Sequence, residues 1–166
     1  MSAKNSVREM QRQVHANWPE CAETISFSLL KMTRINDLFK HEIERCVAQY
    51  QLQHADFSVL ATLRRSPEPY CLTPTELYHS VFFSSGGLTK VLGRLADAGL
   101  IGRVDNPQDK RSKLVQLNTK GKHLVEIIMP ELHKQSQSLL QALSAAETLQ
   151  LETLLQKVLD HHEKTE

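Results

Sequence analysis

Cysteine is scarce: Cys21, Cys46 and Cys71 are the only three in 166 residues. They are odd in number and widely spaced, with no CxxC pair and no Cys/His grouping at zinc-ligand distances. That speaks against a disulfide framework and against a structural metal. Long apolar runs are lacking too, and none approaches the roughly 20 residues that cross a bilayer. The opening stretch, MSAKNSVREMQRQVHANW, is polar with no apolar signal segment, so a cytoplasmic protein with no membrane association is expected. Catalytic signatures are also missing. There is no GxSxG elbow, no phosphate-cradling glycine loop and no pair of catalytic carboxylates, so neither an enzyme nor a cofactor is expected. Eight histidines are present, but His161 and His162 are adjacent and point apart on a helix. His41, His54, His79, His123 and His133 fit no HExxH spacing, which leaves scattered surface histidines.

What the chain does have is apolar content and a concentration of charge. With 40% hydrophobic residues it can bury a full core, and its length suits one domain or one domain with appended helices. Lys and Arg number 20 against 19 Asp and Glu, for a net charge of +1. Residues 84–122 alone hold eight Lys or Arg and three Asp or Glu, a local +5. A solvated basic face is the ordinary explanation of such a cluster. Here it coincides with SSGGLTKVLGRLADAGLIGRVDNPQDKRSKLVQLNTKG, which reads as a helix, a strand, a basic loop and a second strand. That is the outline of a winged DNA reader.

Leu88, Val91, Leu92 and Leu95 recur at i, i+3, i+4 and i+7, one buried stripe of a helix over 85–97 that Ser84 can cap. Thr89, Lys90, Gly93 and Arg94 fall outside the stripe. Gly86 and Gly87 in the first turn permit close approach of another surface, and Gly99 supplies a left-handed exit. Leu100 and Ile101 open a strand, Asp105-Asn106-Pro107 turns the chain, and Leu114, Val115 and Leu117 close a hairpin with the basic tip Asp109–Lys113.

Upstream, residues 22–49 form a long amphipathic candidate, with Ile25, Leu29, Met32, Ile35, Phe39, Ile43 and Cys46 at threes and fours. A shorter helix opens at His54 or Asp56 and runs through Leu63, ended by Pro67-Glu68-Pro69. Thr73-Pro74-Thr75-Glu76 is an N-cap, a proline at the first helical position and a capping-box acid, starting a helix that leads to Phe83 and a helix-turn-helix pair. After the hairpin a helix capped by Asn118 or Thr119 is expected to reach about Leu143 with a kink at Pro130. Ser144-Ala145-Ala146-Glu147 opens a last amphipathic helix through Leu159. The expected fold is mainly α with a small β-hairpin wing. Residues 1–50 and 119–166 form a dimerisation lobe around a winged helix-turn-helix at 51–118. The end helices could instead pad a monomer core. A homodimer is preferred because one recognition helix reads few base pairs, whereas a two-fold pair matches two half-sites of palindromic double-stranded DNA.

From about residue 22 onward the chain resembles the MarR (multiple antibiotic resistance regulator) family of transcriptional regulators, most sharply in GLIGRVDNPQDKRSKLVQLNTKG. The resemblance implies that the 85–97 helix enters the major groove, that Arg111 reaches into the minor groove, that Asp109 braces the wing, and that the terminal helices dimerise. The expected duplex contacts are then Ser84, Ser85, Gly87, Thr89, Lys90 and Arg94 at the major groove, Thr73 and Thr75 at phosphates, and Arg111 with Lys113 at the minor groove. A dimeric repressor, released from its operator by a small molecule, is the expected function.

A narrower likeness, in Trp18-Pro19, FSVLATLRRS at 57–66, Pro69-Tyr70, Leu72-Thr73-Pro74 and Ser84-Ser85-Gly86, is similar to the urate-responsive branch of that family, including an added N-terminal helix at about 5–17. That branch holds its effector with a Trp, an Asp and two Arg. By motif position these fall on Trp18, Ser58, Arg103 and Val91, so two partners are replaced and urate is disfavoured. A small aromatic or anionic effector touching Trp18, Ser58 and Arg103 is expected in its place. The alternative is that Trp18 packs the N-terminal helix and Arg103 pairs with Asp105 or Asp109. Two other functions stay open: a thiol-based redox switch, with Cys21 near the start of the long helix, and a winged-helix protein-interaction module.

Overall fold

In a computed structural model that describes residues 6–81, 87–109 and 111–163, the elements follow local signals along most of the chain. Helix α1 (Val7–Asn17) begins where the Ser6 side chain accepts the Glu9 N–H at 3.1 Å. The long candidate at 22–49 is broken in two, into α2 (Pro19–Thr24) and α3 (Phe27–Ala48). Ile25 is extended between them and the Ser26 hydroxyl accepts the Leu29 N–H at 3.4 Å. A serine competing for backbone donors restarts the helix at a point where apolar spacing alone predicts continuity.

Helix α4 (His54–Arg65) is followed by a two-residue strand, β1 (Cys71–Leu72), that hydrophobic spacing does not announce. Tyr70, at φ 59°, turns the chain into it. Helix α5 (Pro74–Ser80) starts as its sequence requires. Thr73 accepts the Glu76 N–H at 3.1 Å while its own N–H and hydroxyl donate to Glu76 Oε2 at 2.7 Å each. Those donors hold the Glu76 carboxyl below its ordinary value. Helix α6 (Leu88–Asp97), strands β2 (Ile101–Asp105) and β3 (Lys113–Leu117), α7 (Thr119–Gln137) and α8 (Ala145–Glu163) complete the order. Helix α7 passes through Pro130 and ends at Gln137, short of the expected Leu143. Ser144 and Glu147 form the expected capping box at the start of α8.

The sheet is antiparallel in the order β1-β3-β2, with Arg103 opposite Val115 and Asp105 opposite Lys113. This is a mainly helical winged helix-turn-helix fold with a small β wing.

Two units divide the chain: Met1–His41 with Ser136–Glu166, and Glu42–Gln135. Among the described residues, every buried apolar one belongs to the second. Its core draws Cys46 and Val47 from α3, Val59, Leu60 and Leu63 from α4, Leu77 from α5, the α6 stripe, Val115 from β3, and Val125 and Ile128 from α7. At about 1.5–3 kcal/mol for each large apolar side chain, this burial is what holds the unit together. The first unit has no buried residue among those described.

Gly121, in the first turn of α7, is buried where a Cβ would lie 2.2 Å from the Leu100 carbonyl oxygen and 2.9 Å from Leu117 Cδ1. Neither a backbone oxygen nor a packed leucine can yield cheaply. Gly121→Ala should therefore destabilise the protein by about 2–3 kcal/mol, measured as a lowered urea midpoint at unchanged m-value.

Candidate nucleic-acid interface

The four apolar residues of α6, Leu88, Val91, Leu92 and Leu95, are all buried. Thr89, Lys90, Gly93 and Arg94 are exposed, because an amphipathic helix that buries one stripe must turn the opposite side outward. Gly87 stands at the N-cap. Ser84 and Ser85, with Gly86 and Phe83, lie outside the described residues, as does Lys110. At the other end Gly99 leaves the helix at φ 68°, the Lys120 ammonium donates to the Ala98 carbonyl at 2.8 Å, and the Asn118 amide donates to Gly99 O at 3.3 Å. A cation at a helix C-terminus is well placed against the helix dipole.

The wing is held by its own polar side chains. Asn106 is buried; its Oδ1 accepts the Gln108 N–H at 3.0 Å and its Nδ2 donates to Ser112 Oγ at 2.8 Å. Asp109 Oδ1 accepts the Arg111 N–H at 3.0 Å, an Asx-type turn that presents the arginine. The Arg111 side chain is 98% exposed, and its guanidinium lies 3.8 Å from the same carboxylate. Lys113 pairs with Asp105 across the hairpin, an exposed and screened contact of little energetic weight. Arg103 is exposed on β2. The alternative pairing of Arg103 with Asp105 or Asp109 is not what forms, since those carboxylates hold Lys113 and Arg111.

Thr75 is exposed in the first turn of α5, whereas the Thr73 hydroxyl is engaged in the capping box. Trp18 is 61% exposed at the junction of α1 and α2, and Ser58 donates its hydroxyl to the His54 carbonyl at 3.0 Å. Cys21 sits on the short α2 and not on the long helix. Burial pushes the Cys46 and Cys71 thiols above their ordinary values, away from the thiolate a redox sensor needs.

Among the contacts that sequence reasoning missed, one involves a predicted site residue. Arg94 Nη2 donates to Asp56 Oδ1 at 2.7 Å, and the Asp56 side chain is only 5% exposed. An aspartate in the first turn of an amphipathic helix was the only signal available, and it does not name its partner.

A sequence model of the MarR family matches residues 50–112. The multiple antibiotic resistance protein MarR of Escherichia coli is 33% identical over 139 residues, covering 79% of this chain and 92% of that protein. The chain belongs to the MarR family. Another relative, the HTH-type transcriptional regulator PecS of Dickeya dadantii, is 29% identical over 130 residues, 78% of each chain. Among solved structures, a mutant of E. coli MarR complexed with operator DNA aligns at a TM-score of 0.69 and 33% identity, covering 84% of this chain and 97% of that one. The family match spans α4 to the tip of the wing, and most of the buried core lies within it.

Gly93 is a helix-interior glycine, and a Cβ there would meet nothing within 4 Å. No packing among the described residues requires it. Gly93→Ala should raise stability by up to about 1 kcal/mol, read as a higher denaturant midpoint.

Proposed function

We propose that this chain is a DNA-binding transcriptional regulator, a homodimeric repressor whose grip on a palindromic operator is released by a small-molecule effector. The observation that carries this reading is the α6 face of Thr89 and Lys90 displayed in the same unit as a wing whose Arg111 is almost fully exposed. Thr89, Lys90 and Gly87 with Ser84 and Ser85 meet the major groove, Thr75 and the Thr73 corner meet phosphates, and Arg111, braced by Asp109, enters the minor groove with Lys113 at its rim. The operator complex of the E. coli MarR mutant, at 33% identity, supports it.

The effector reading rests on Trp18, Ser58 and Arg103. In the urate-responsive branch the positions of Ser58 and Val91 hold an acid and a cation. Here Ser58 spends its hydroxyl on a backbone carbonyl and Val91 is buried, so an anionic purine loses a charged partner. A smaller aromatic or anionic effector suits these residue types better, since an exposed indole such as Trp18 can stack and an exposed guanidinium such as Arg103 can pair with an anion. Gel-shift titrations across salt concentrations test both parts. Arg111→Ala should weaken binding and flatten the plot of log affinity against log salt by about one unit, and urate should leave the wild-type complex intact. An unchanged slope removes Arg111 from the interface.

Dimerisation is supported by the terminal helices themselves. Leu29, Met32, Ile35 and Phe39 on α3, and Leu149, Leu154 and Val158 on α8, are exposed large apolar side chains, and surfaces of that kind mark association. Residues 1–50 and 119–166 form the dimerisation lobe in this reading, with 51–118 as the DNA-binding domain. Sedimentation equilibrium should give a dimer at micromolar concentration, and Leu154→Glu with Val158→Glu should give a folded monomer with weakened duplex binding. A wild-type monomer that still binds a palindrome as tightly as any family dimer would defeat it.

A further inference from the structure

Arg94 faces outward on the recognition helix, yet its guanidinium is committed inward. Asp56 is the third residue of α4, and both of its carboxylate oxygens are used. Oδ2 accepts the Gln53 N–H at 2.9 Å and Oδ1 accepts Arg94 Nη2 at 2.7 Å. The Asp56 side chain is 5% exposed and that of Arg94 is 42% exposed. Turning Arg94 out to a base edge would strand a buried carboxylate without its cation, and a buried unpaired charge is a heavy penalty.

We propose that Arg94 acts on DNA binding through Asp56, as a positioning residue that locks the rotation of α6 against α4, and not as a reader of bases. The apolar stripe of Leu88, Val91, Leu92 and Leu95 fixes how deeply α6 sits on the core, but apolar contact has no preferred direction. A directed, charge-assisted hydrogen bond between two helices supplies one. It joins residues 38 apart in sequence and sits one turn beyond Lys90, on the side of α6 that carries Thr89 and Lys90. A small rotation of α6 would move exactly those side chains along the groove, and misplaced base contacts lose affinity steeply. The C-terminal end of α6 is held separately, by Lys120 on Ala98 and Asn118 on Gly99, so the Asp56 pair governs the helix body.

This inference rests on the reading that α6 meets duplex DNA, and its test is a double-mutant cycle on the intact protein. The probe is a palindromic duplex selected with the wild type from a random pool. Affinity is measured at several salt concentrations, beside thermal unfolding of each variant. Asp56→Asn and Arg94→Ala should each weaken binding about tenfold, and the double variant should be no weaker than either alone, because one interaction has been removed twice. The salt slope of Arg94→Ala should match that of the wild type, since no phosphate contact is lost. Arg94→Lys, which keeps a cation for Asp56 but lacks the fork that grips guanine, should bind within about threefold of wild type; it is also the variant to rely on if Asp56→Asn fails to fold.

Direct readout predicts the reverse. Asp56→Asn would then free the arginine and bind as well as wild type or better, Arg94→Ala would flatten the slope by about one unit, and Arg94→Lys would lose sequence preference. Any of these overturns the positioning role while leaving the DNA-binding reading intact. A wild-type protein that selects no duplex at all overturns both.

Discussion

Burial of one stripe of α6 is the constraint on which the rest of the structure depends. Leu88, Val91, Leu92 and Leu95 must leave water, and α4 and the sheet give them a surface to do so. Once they are placed, Thr89 and Lys90 have nowhere to go but outward. The polar face is thus a geometric consequence of the apolar one, at no extra energetic cost. The chain following α6 inherits the same constraint: Gly99 reverses the backbone, Leu100 and Ile101 return to the core, and the wing starts from a fixed base.

Polar contacts then convert a packed helix into an oriented one. Three separate devices converge on α6: the Asp56 carboxylate on Arg94, Lys120 on the last carbonyls, and the close contact of Gly121 with Leu100. Together they join α6, or the chain just after it, to two other helices, α4 and α7. The wing uses shorter-range means, with Asn106 and Asp109 tying the hairpin tip to itself and leaving Arg111 projecting. An Arg111 side chain left 98% exposed by those bonds suits a probe that must reach beyond the body of the protein.

The two units contrast in how they are stabilised. Glu42–Gln135 carries all of the buried apolar residues, whereas the terminal helices carry an apolar surface with no core among the described residues. Local contacts such as the Ser6 cap, the Ser144–Glu147 capping box, an Arg12–Glu9 pair and a His15–Phe27 stack support those helices, and exposed contacts of that kind contribute little each. Marginal helices with exposed apolar faces gain most of their stability from what they pack against.

Much of this was legible before any coordinates. The α6 stripe, the Thr73 and Ser144 capping boxes, the Gly99 exit and the hairpin all depend on residues within a few positions of one another, so spacing and side-chain type determined them. The family resemblance was legible in the wing for the same reason. The break at Ile25, the early end of α7, strand β1, the fit of Gly121 against Leu100 and the Asp56–Arg94 pair were decided only in three dimensions. Those features depend mostly on partners tens of residues away, or on a local competition for backbone donors that apolar periodicity does not register.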